Sequence, residues 1–371
     1  MRISFPHLGN LYIPLKALFD YLKVDYVIPP LNSQRTLTLG TKYSPEGLCI
    51  PFKLTLGNMI EAAEQGADTM IMPGGFGICR LGYYTIVQEK ILNDLGISMQ
   101  LIPLSVSEHK FKGFMQIIKR LSGNAPWSRI IAGFRFGIAK MDTLDEIEKL
   151  VQKIRPLEKV KGETNRVFRK AIEAIDASQD YATLRRVRKD YILQLYNIPS
   201  NRETQPLIVG LIGEFYVLLE PFSNLDIEKE LGKLGVEVRR SLYISEWTKF
   251  SLFFGALKKL RHDKIKEIHK AALPYLKCDV GGDGWETVGE KVLYAENYDG
   301  LVHLAPLTCM PETVAQNIMP STKEKIPVLT VICDEQMGKQ GMITRLEAFV
   351  DLLKRRKQKV QNYSKEVNIL Q

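Results

Sequence analysis

Three of the five cysteines in this 371-residue chain occupy positions at which side chains commonly do chemistry. Cys49 directly precedes a predicted helix, and Cys79 and Cys309 each follow a predicted strand. In parallel α/β proteins, ligands gather beyond the carboxyl ends of the strands, where such loops converge. Thiolates are preferred ligands of soft metals and iron–sulfur clusters, so the pattern favours one shared metal or cluster site.

The residues that flank these cysteines agree with a ligand role. The first turn of the helix after Cys49 offers unpaired N–H groups and a positive dipole end, which favours a thiolate. Cys79 follows its strand through the glycine-rich loop 73–77, whose glycines permit close approach of the backbone to a bound group. Cys309 stands two residues before Pro311, which is typical of a helix start.

Each cysteine also has a purely structural interpretation, because free cysteines are among the most buried residues and pack as small hydrophobic side chains. That interpretation fits Cys333 best, since this residue continues an apolar strand, and Cys278 to a lesser degree. The chain contains no Cys-x-x-Cys pair and no ferredoxin spacing. Spacing alone is therefore a weak metal signal.

Other residues that could do chemistry form no complete motif, so no catalytic residue is assigned. The glycines of loop 73–77 match neither the P-loop nor the dinucleotide-binding fingerprint, and segment 281–284 predicts a plain turn. Serine-hydrolase and zinc-protease signatures are absent from the sequence. A role in proton transfer stays open for three histidines at predicted strand ends: His7, His109 and His303.

The formal net charge of +9 raises the question of nucleic-acid binding, because clustered Lys and Arg side chains release counterions from phosphate backbones. Much of the excess lies in three basic runs within helix-like segments, at 185–189, 258–261 and 354–357. A solvated helix face is the usual cause of such runs. No nucleic-acid-binding motif accompanies them, so we expect no nucleic-acid partner.

The sequence has no apolar run of about 18 residues, and its first residues lack the order of a signal peptide. We therefore expect no membrane association and a cytoplasmic location. Thiols stay reduced in that compartment, which makes five widely spaced cysteines better candidates for ligands, nucleophiles or core residues than for disulfides.

Hydrophobic periodicity divides the chain into three regions. Residues 1–113 and 206–371 alternate short strands with helices, which predicts parallel-sheet α/β domains of the Rossmann or flavodoxin-like kind. Residues 114–205 show long helical periodicity and predict a helical connector or subdomain. Strands are predicted at 2–5, 25–28, 69–72, 207–212, 236–239, 300–304 and 327–332.

The motifs around the cysteines and at both ends of the chain resemble those of the cluster-carrying subunits of 2-hydroxyacyl-CoA dehydratases, especially their activase-associated and double-cubane-cluster relatives. The resemblance covers both α/β regions, and only about 114–205 contains no matching motif. The matching segments are Ile3-Ser-Phe-Pro6, Glu46-x-x-Cys49-x-Pro51-x-Lys53, Gly77-Ile-Cys79-Arg80-x-Gly82-x-Tyr84, Gly210-x-x-Gly213-Glu214, Cys309-x-Pro311-Glu312 and Asp334-Glu335 with Thr344-Arg345-Leu346-Glu347.

The resemblance implies that Cys49, Cys79 and Cys309 hold an iron–sulfur cluster, expected to be [4Fe-4S]. It also implies that the cluster accepts low-potential electrons from an ATP-hydrolysing activator, which carries its own cluster, for a one-electron reduction in an oxygen-free cytoplasm. The substrate would be a small molecule or an acyl-CoA. Related cluster subunits pair, so a homodimer is implied as well. Three cysteine ligands leave one iron for water, substrate or a non-cysteine ligand.

Several alternatives stay open. The double-cubane [8Fe-9S] cluster of some relatives leaves six irons to be ligated, so this chain, with its five cysteines, would need a further ligand. Whether Cys278 or a non-cysteine group is an additional ligand is a separate question. The same fold could hold or transfer a cluster, or bind the activator, without turnover. A nucleotide-binding α/β protein with structural cysteines is the remaining alternative.

Overall fold

Two parallel β-sheets form the frame of the protein, which confirms the predicted Rossmann or flavodoxin-like α/β class. The computed structural model describes residues 1–74, 79–104, 106–248 and 263–369. For residues 106–111, 263, 360–361 and 363–369 it describes the backbone and not the side chains. Most of the glycine-rich loop 73–77, the basic run 258–261 and the side chain of His109 therefore lie outside the described residues.

The first sheet contains three parallel strands, in the order β1-β2-β3. They are β1 (Ile3–Ser4), β2 (Thr69–Pro73) and β3 (Gln100–Leu104). The helices of this unit are α1 (Tyr12–Leu22), α2 (Gln34–Tyr43), α3 (Ile50–Glu64), α4 (Tyr84–Asp94) and α5 (Val106–Leu121). Helix α3 is buried continuously from Ile50 to Ala62, so it forms the centre of this unit's core.

Two details of this sheet differ from the sequence-based expectation. The predicted strand at 25–28 is reduced to a single bridge between Ile3 and Tyr26, because Pro29 and Pro30 lack the N–H groups that would extend the ladder. Strand β3 is not predicted from the sequence, since Pro103 interrupts its pattern. It lies at the edge of the sheet, where a proline is tolerated.

The predicted helical region packs onto the first unit. It contains α6 (Trp127–Ile154), α7 (Glu163–Ala177) and α8 (Tyr181–Tyr196). Ile13 of α1 shares one hydrophobic core with Phe136 and Ile147 of α6 and with residues of α7 and α8. Helices α1 and α6 lie so close together that a Cβ atom on Gly137 would be 3.1 Å from the carbonyl oxygen of Pro14.

The second sheet contains four parallel strands in the order β5-β4-β6-β7. They are β4 (Leu207–Gly213), β5 (Val236–Arg240), β6 (Gly300–Pro306) and β7 (Val328–Cys333). The helices that accompany them are α9 (Phe215–Leu219), α10 (Ile227–Lys233), α11 (Ile244–Thr248), α12 (Asp263–Ala272), α13 (Gly284–Tyr294), α14 (Met310–Ile318) and α15 (Lys339–Ile369). In the part of the chain that the structure describes, no helix is both long and apolar enough to cross a membrane.

The carboxyl ends of three strands lead into loops that carry functional candidates. Strand β2 ends at Pro73, β4 at Gly213 and β6 at Pro306. Gly213 has a φ of 126°, and a Cβ atom there would lie 2.1 Å from the carbonyl oxygen of Leu304. Only glycine therefore lets β4 end this close to β6.

We expect Gly57→Ala to lower the free energy of unfolding by about 1–3 kcal/mol, as overpacking does. The added methyl carbon would lie 2.1 Å from the carbonyl oxygen of Thr36, where α3 crosses α2. Urea unfolding followed by circular dichroism measures the change. Gly341→Ala in α15 is the control, because its new methyl group meets open space and should leave stability equal or slightly higher. Equal effects of both substitutions would contradict the close crossing.

Candidate functional site

The structure brings the three predicted cysteines to one cavity. Cys49, Cys79 and Cys309 all line it, and the walls come from the first unit, from α6 and from the second unit. The cavity has a volume of about 160 Å³. Cys49 and Cys309 are buried, and Cys79 is half-buried. Loops from sequence positions about 30 to 260 residues apart therefore converge, as the strand-exit pattern predicts.

All three cysteines occupy the same local position, the N-cap of a helix. Cys49 caps α3, Cys309 caps α14 and Cys79 caps a 3₁₀ turn at Arg80–Tyr83. A backbone N–H in the first turn of each helix lowers the pKa of its cysteine, although none forms a cap hydrogen bond of ordinary geometry. The amides belong to Phe52, Leu81 and Glu312. Such groups are available to stabilise negative sulfur.

Arg80, the residue after Cys79, joins the three cysteine loops. Its guanidinium donates to the carbonyl oxygen of Gly47 at 2.9 Å, and to both the carbonyl and the hydroxyl oxygen of Thr308. The Thr308 hydroxyl in turn donates to the Gly47 carbonyl at 3.2 Å. Gly47 lies two residues before Cys49, and Thr308 lies directly before Cys309. We refer to these contacts of Arg80, Gly47 and Thr308 as the arginine clasp.

A second polar contact joins the same two units beside the cavity. Lys53, in the first turn of α3, forms an ion pair of 2.6 Å with Glu335, just beyond β7. The Lys53 side chain is only 5% exposed, so its stem is packed while its ammonium group is neutralised. The contact fixes the start of α3, and hence Cys49, against the second sheet.

Burial raises the pKa of all three thiols, for Cys79 to about 11. This corrects the expectation that the helix N-terminus makes Cys49 a thiolate, because burial outweighs the helix amides and the hydroxyl of Tyr84, 2.7 Å from the sulfur. A charge on Cys49 further raises the pKa of Cys79 and of Cys309, as expected for neighbouring thiols. The free thiols are therefore neutral, and a metal must displace their protons.

Glu214 is a site residue that the sequence analysis did not assign. It follows β4, lines the same cavity and accepts a hydrogen bond of 3.0 Å from the N–H of Val217. Withdrawal from water raises its pKa to about 8, and the nearby Glu312 adds to the increase. The carboxyl group is thus largely protonated at neutral pH. One sequence signal could have identified this residue: it is a glutamate that directly follows a strand ending in glycine.

The histidines open to proton transfer are placed differently. His7 lines the cavity, whereas His303 is fully buried in β6 and contacts Glu312 at 2.8 Å through Nε2. Glu312 also accepts a hydrogen bond of 3.0 Å from the hydroxyl of Thr287. Because Glu312 lies in the first turn of α14, this buried pair fixes the helix that Cys309 caps.

The other two cysteines lie away from the cavity wall. Cys278 is exposed, and Cys333 is buried in the hydrophobic core at the end of β7, where the structural interpretation placed it. Across the described ranges, no three His, Cys, Asp or Glu side chains are arranged to hold a single metal ion. A cluster spreads its ligands further, because each thiolate binds a different iron.

No protein-family model matches this chain, and a search of curated proteins found no match. Function is therefore inferred from the residues and geometry of the cavity.

We expect Glu214→Gln to stabilise the iron-free chain increasingly as pH rises from about 5 to about 8. The folded protein holds a proton on Glu214 that the unfolded chain releases above its ordinary pKa, so the wild type loses stability over this interval, and glutamine does not. The gain should reach about 4 kcal/mol near pH 8, at roughly 1.4 kcal/mol for each pH unit, and then level off. Urea unfolding at several pH values measures it.

Glu89→Gln, on the exposed face of α4, is the matched control and should change stability little at any pH. A gain for Glu214→Gln that stayed constant from pH 5 to pH 9 would show that burial does not perturb this carboxyl group.

Proposed function

We propose that this chain is an iron–sulfur protein of the kind found in the cluster components of 2-hydroxyacyl-CoA dehydratases. Cys49, Cys79 and Cys309 would ligate a [4Fe-4S] cluster. The observation that carries the proposal is the convergence of these three N-cap cysteines on one cavity, held by the arginine clasp. The first electron acceptor would be this cluster, and the donor an ATP-hydrolysing activator that carries a cluster of its own.

The residues present fit such a group. Sulfur donors suit iron–sulfur clusters, and the lining is predominantly apolar, which limits access of water. First-turn amides near each sulfur supply the polar surroundings that tune thiolate ligands. When bound, a cluster of this type supplies one-electron redox chemistry and an open iron that can bind a substrate atom. The chain's own residues hold the sulfurs, exclude water and, at Glu214, hold a proton beside the thiols.

Three cysteines favour a single cubane over a larger cluster. Cys49, Cys79 and Cys309 are the cavity-lining cysteines among the described residues, and the exposed position of Cys278 argues against it as an additional ligand. Among the described residues, Glu214 supplies the carboxyl group that lines the cavity, so it is the candidate for a non-cysteine ligand. Otherwise, water or substrate would complete the coordination of the fourth iron.

We also propose a substrate class, an oligomeric state and a cellular compartment. The substrate would be a small molecule or an acyl-CoA, the active form a homodimer, and the compartment an oxygen-free cytoplasm. These elements follow from the resemblance of the motifs, and the ligand assignment is the part that the geometry supports directly.

The anaerobically reconstituted wild type should contain about four irons and four sulfides per chain. We expect each of Cys49→Ala, Cys79→Ala and Cys309→Ala to lose most of this iron, because each removes one of three ligands. Iron and sulfide analysis, with visible and paramagnetic-resonance spectra, measures the loss.

Cys278→Ala and Cys333→Ala are the controls and should keep the iron, with circular dichroism verifying that every variant is folded. A wild type that binds no iron, and that ATP stabilises, would refute the proposal and favour a nucleotide-binding protein. Full iron content without reductase activity in the presence of an activator would favour the cluster-holding alternative.

Arg80→Met should accelerate loss of iron to a chelator by about tenfold or more, as removal of a residue that orients metal ligands commonly does. Methionine keeps much of the side-chain volume but cannot donate to Gly47 or Thr308. Arg202→Met is the matched control, because Arg202 also donates to a backbone carbonyl, that of Tyr196, at the surface. Similar rates for both variants would show that the clasp does not secure the ligands.

A further inference from the structure

The cavity wall beyond the cysteines is apolar and suits an uncharged ligand. Helices α1 and α6 contribute Leu15, Ile138 and Met141, and the second unit contributes Phe215 and Trp247, whose rings stack at 5.0 Å. Among the described residues, no Lys, Arg or Asp side chain lines the cavity. An anion would lose its hydration here without finding a lysine or arginine, whereas an apolar molecule gains from burial.

Two side chains in this wall have a buried polar atom without a hydrogen-bond partner among the described residues, His7 at Nδ1 and Thr248 at Oγ1, and of these only His7 is restricted to accepting. His7 is 2% exposed and lines the cavity, and its Nε2 contacts the carbonyl oxygen of Pro29. A carbonyl oxygen can only accept, so Nε2 carries the proton and Nδ1 is a bare acceptor. Within the described part of the chain, Nδ1 has no hydrogen-bond partner. A buried acceptor left unsatisfied is costly, which makes it a natural point of recognition for a ligand.

The protonation of His7 agrees with this assignment. Burial lowers its pKa, which outweighs the opposing effect of the Pro29 carbonyl, so the ring is neutral at pH 7. Two uncharged neighbours surround it: the Tyr12 ring lies edge-on to His7 at 5.8 Å, and the Asn58 side-chain oxygen accepts a hydrogen bond of 3.1 Å from the backbone N–H of His7.

We infer that the cavity binds an uncharged small molecule with an apolar body and one hydrogen-bond donor. His7 Nδ1 would accept the hydrogen bond from that donor. His7 would thus determine specificity. The inference rests on the proposed function only in treating the bound molecule as a substrate, and binding itself can be tested on the full-length iron-free chain.

Three cyclohexane probes of similar size separate the contributions: cyclohexanol has a donor, methoxycyclohexane has none, and cyclohexanecarboxylate is charged. Titrations followed by the indole N–H signal of Trp247, assigned with Trp247→Phe, give the affinities. We expect cyclohexanol to bind about fivefold more tightly than methoxycyclohexane, as one neutral hydrogen bond predicts, and the carboxylate to bind most weakly. His7→Phe should remove the difference between the two neutral probes.

Ile138→Trp should abolish binding of both neutral probes, because it fills the cavity from α6. Ile131 lies on the same helix but is 56% exposed and does not line the cavity. The Ile131→Trp variant should therefore bind the probes like the wild type. This pair keeps the inference testable if His7→Phe fails to fold. No binding by the wild type, tightest binding of the carboxylate, or equal affinities of the two neutral probes would overturn it. Iron content, measured separately, reports on the cluster.

Discussion

The guanidinium of Arg80 is the contact on which the geometry of the candidate site depends. Its partners Gly47 and Thr308 lie 33 and 228 residues away in sequence, yet each is within two residues of a cavity cysteine. The planar fork of arginine reaches both loops at once, which the single ammonium group of lysine could not do with the same geometry. The sulfurs are therefore placed correctly only when the two α/β units are packed together.

The backbone beside this contact is in an unusual conformation. Thr308 has a φ of 67°, which is uncommon for any residue other than glycine and costly for a β-branched one. Strain of this kind persists where surrounding contacts enforce it, and it concentrates at functional positions. Here the contacts are the two hydrogen bonds from Arg80 and the one that Thr308 donates to Gly47. The conformation sets the direction in which the chain enters Cys309 and α14.

The cysteine positions could be predicted from sequence because they follow a local rule, in which a loop leaves a parallel strand and enters a helix. The fold class followed from the alternation of strands and helices for the same reason. Partners in space were not predictable: no periodicity indicates that Arg80 reaches Thr308 or that α6 lines the cavity. The protonation of Cys49 was wrongly predicted, because helix amides can be inferred from sequence whereas the burial that outweighs them cannot.

The electrostatics of the cavity bear on the electron source that the proposed function requires. Its wall contains, in the described residues, no lysine or arginine side chain, and the charge of Arg80 lowers the pKa of Cys49. Glu214 avoids further negative charge by remaining protonated near neutral pH. In such surroundings an electron added to a cluster held by three thiolates would receive little compensation from positive charge, and burial would lower the cluster's reduction potential. A low potential of this sort would be consistent with the ATP-driven donor that the proposed function includes.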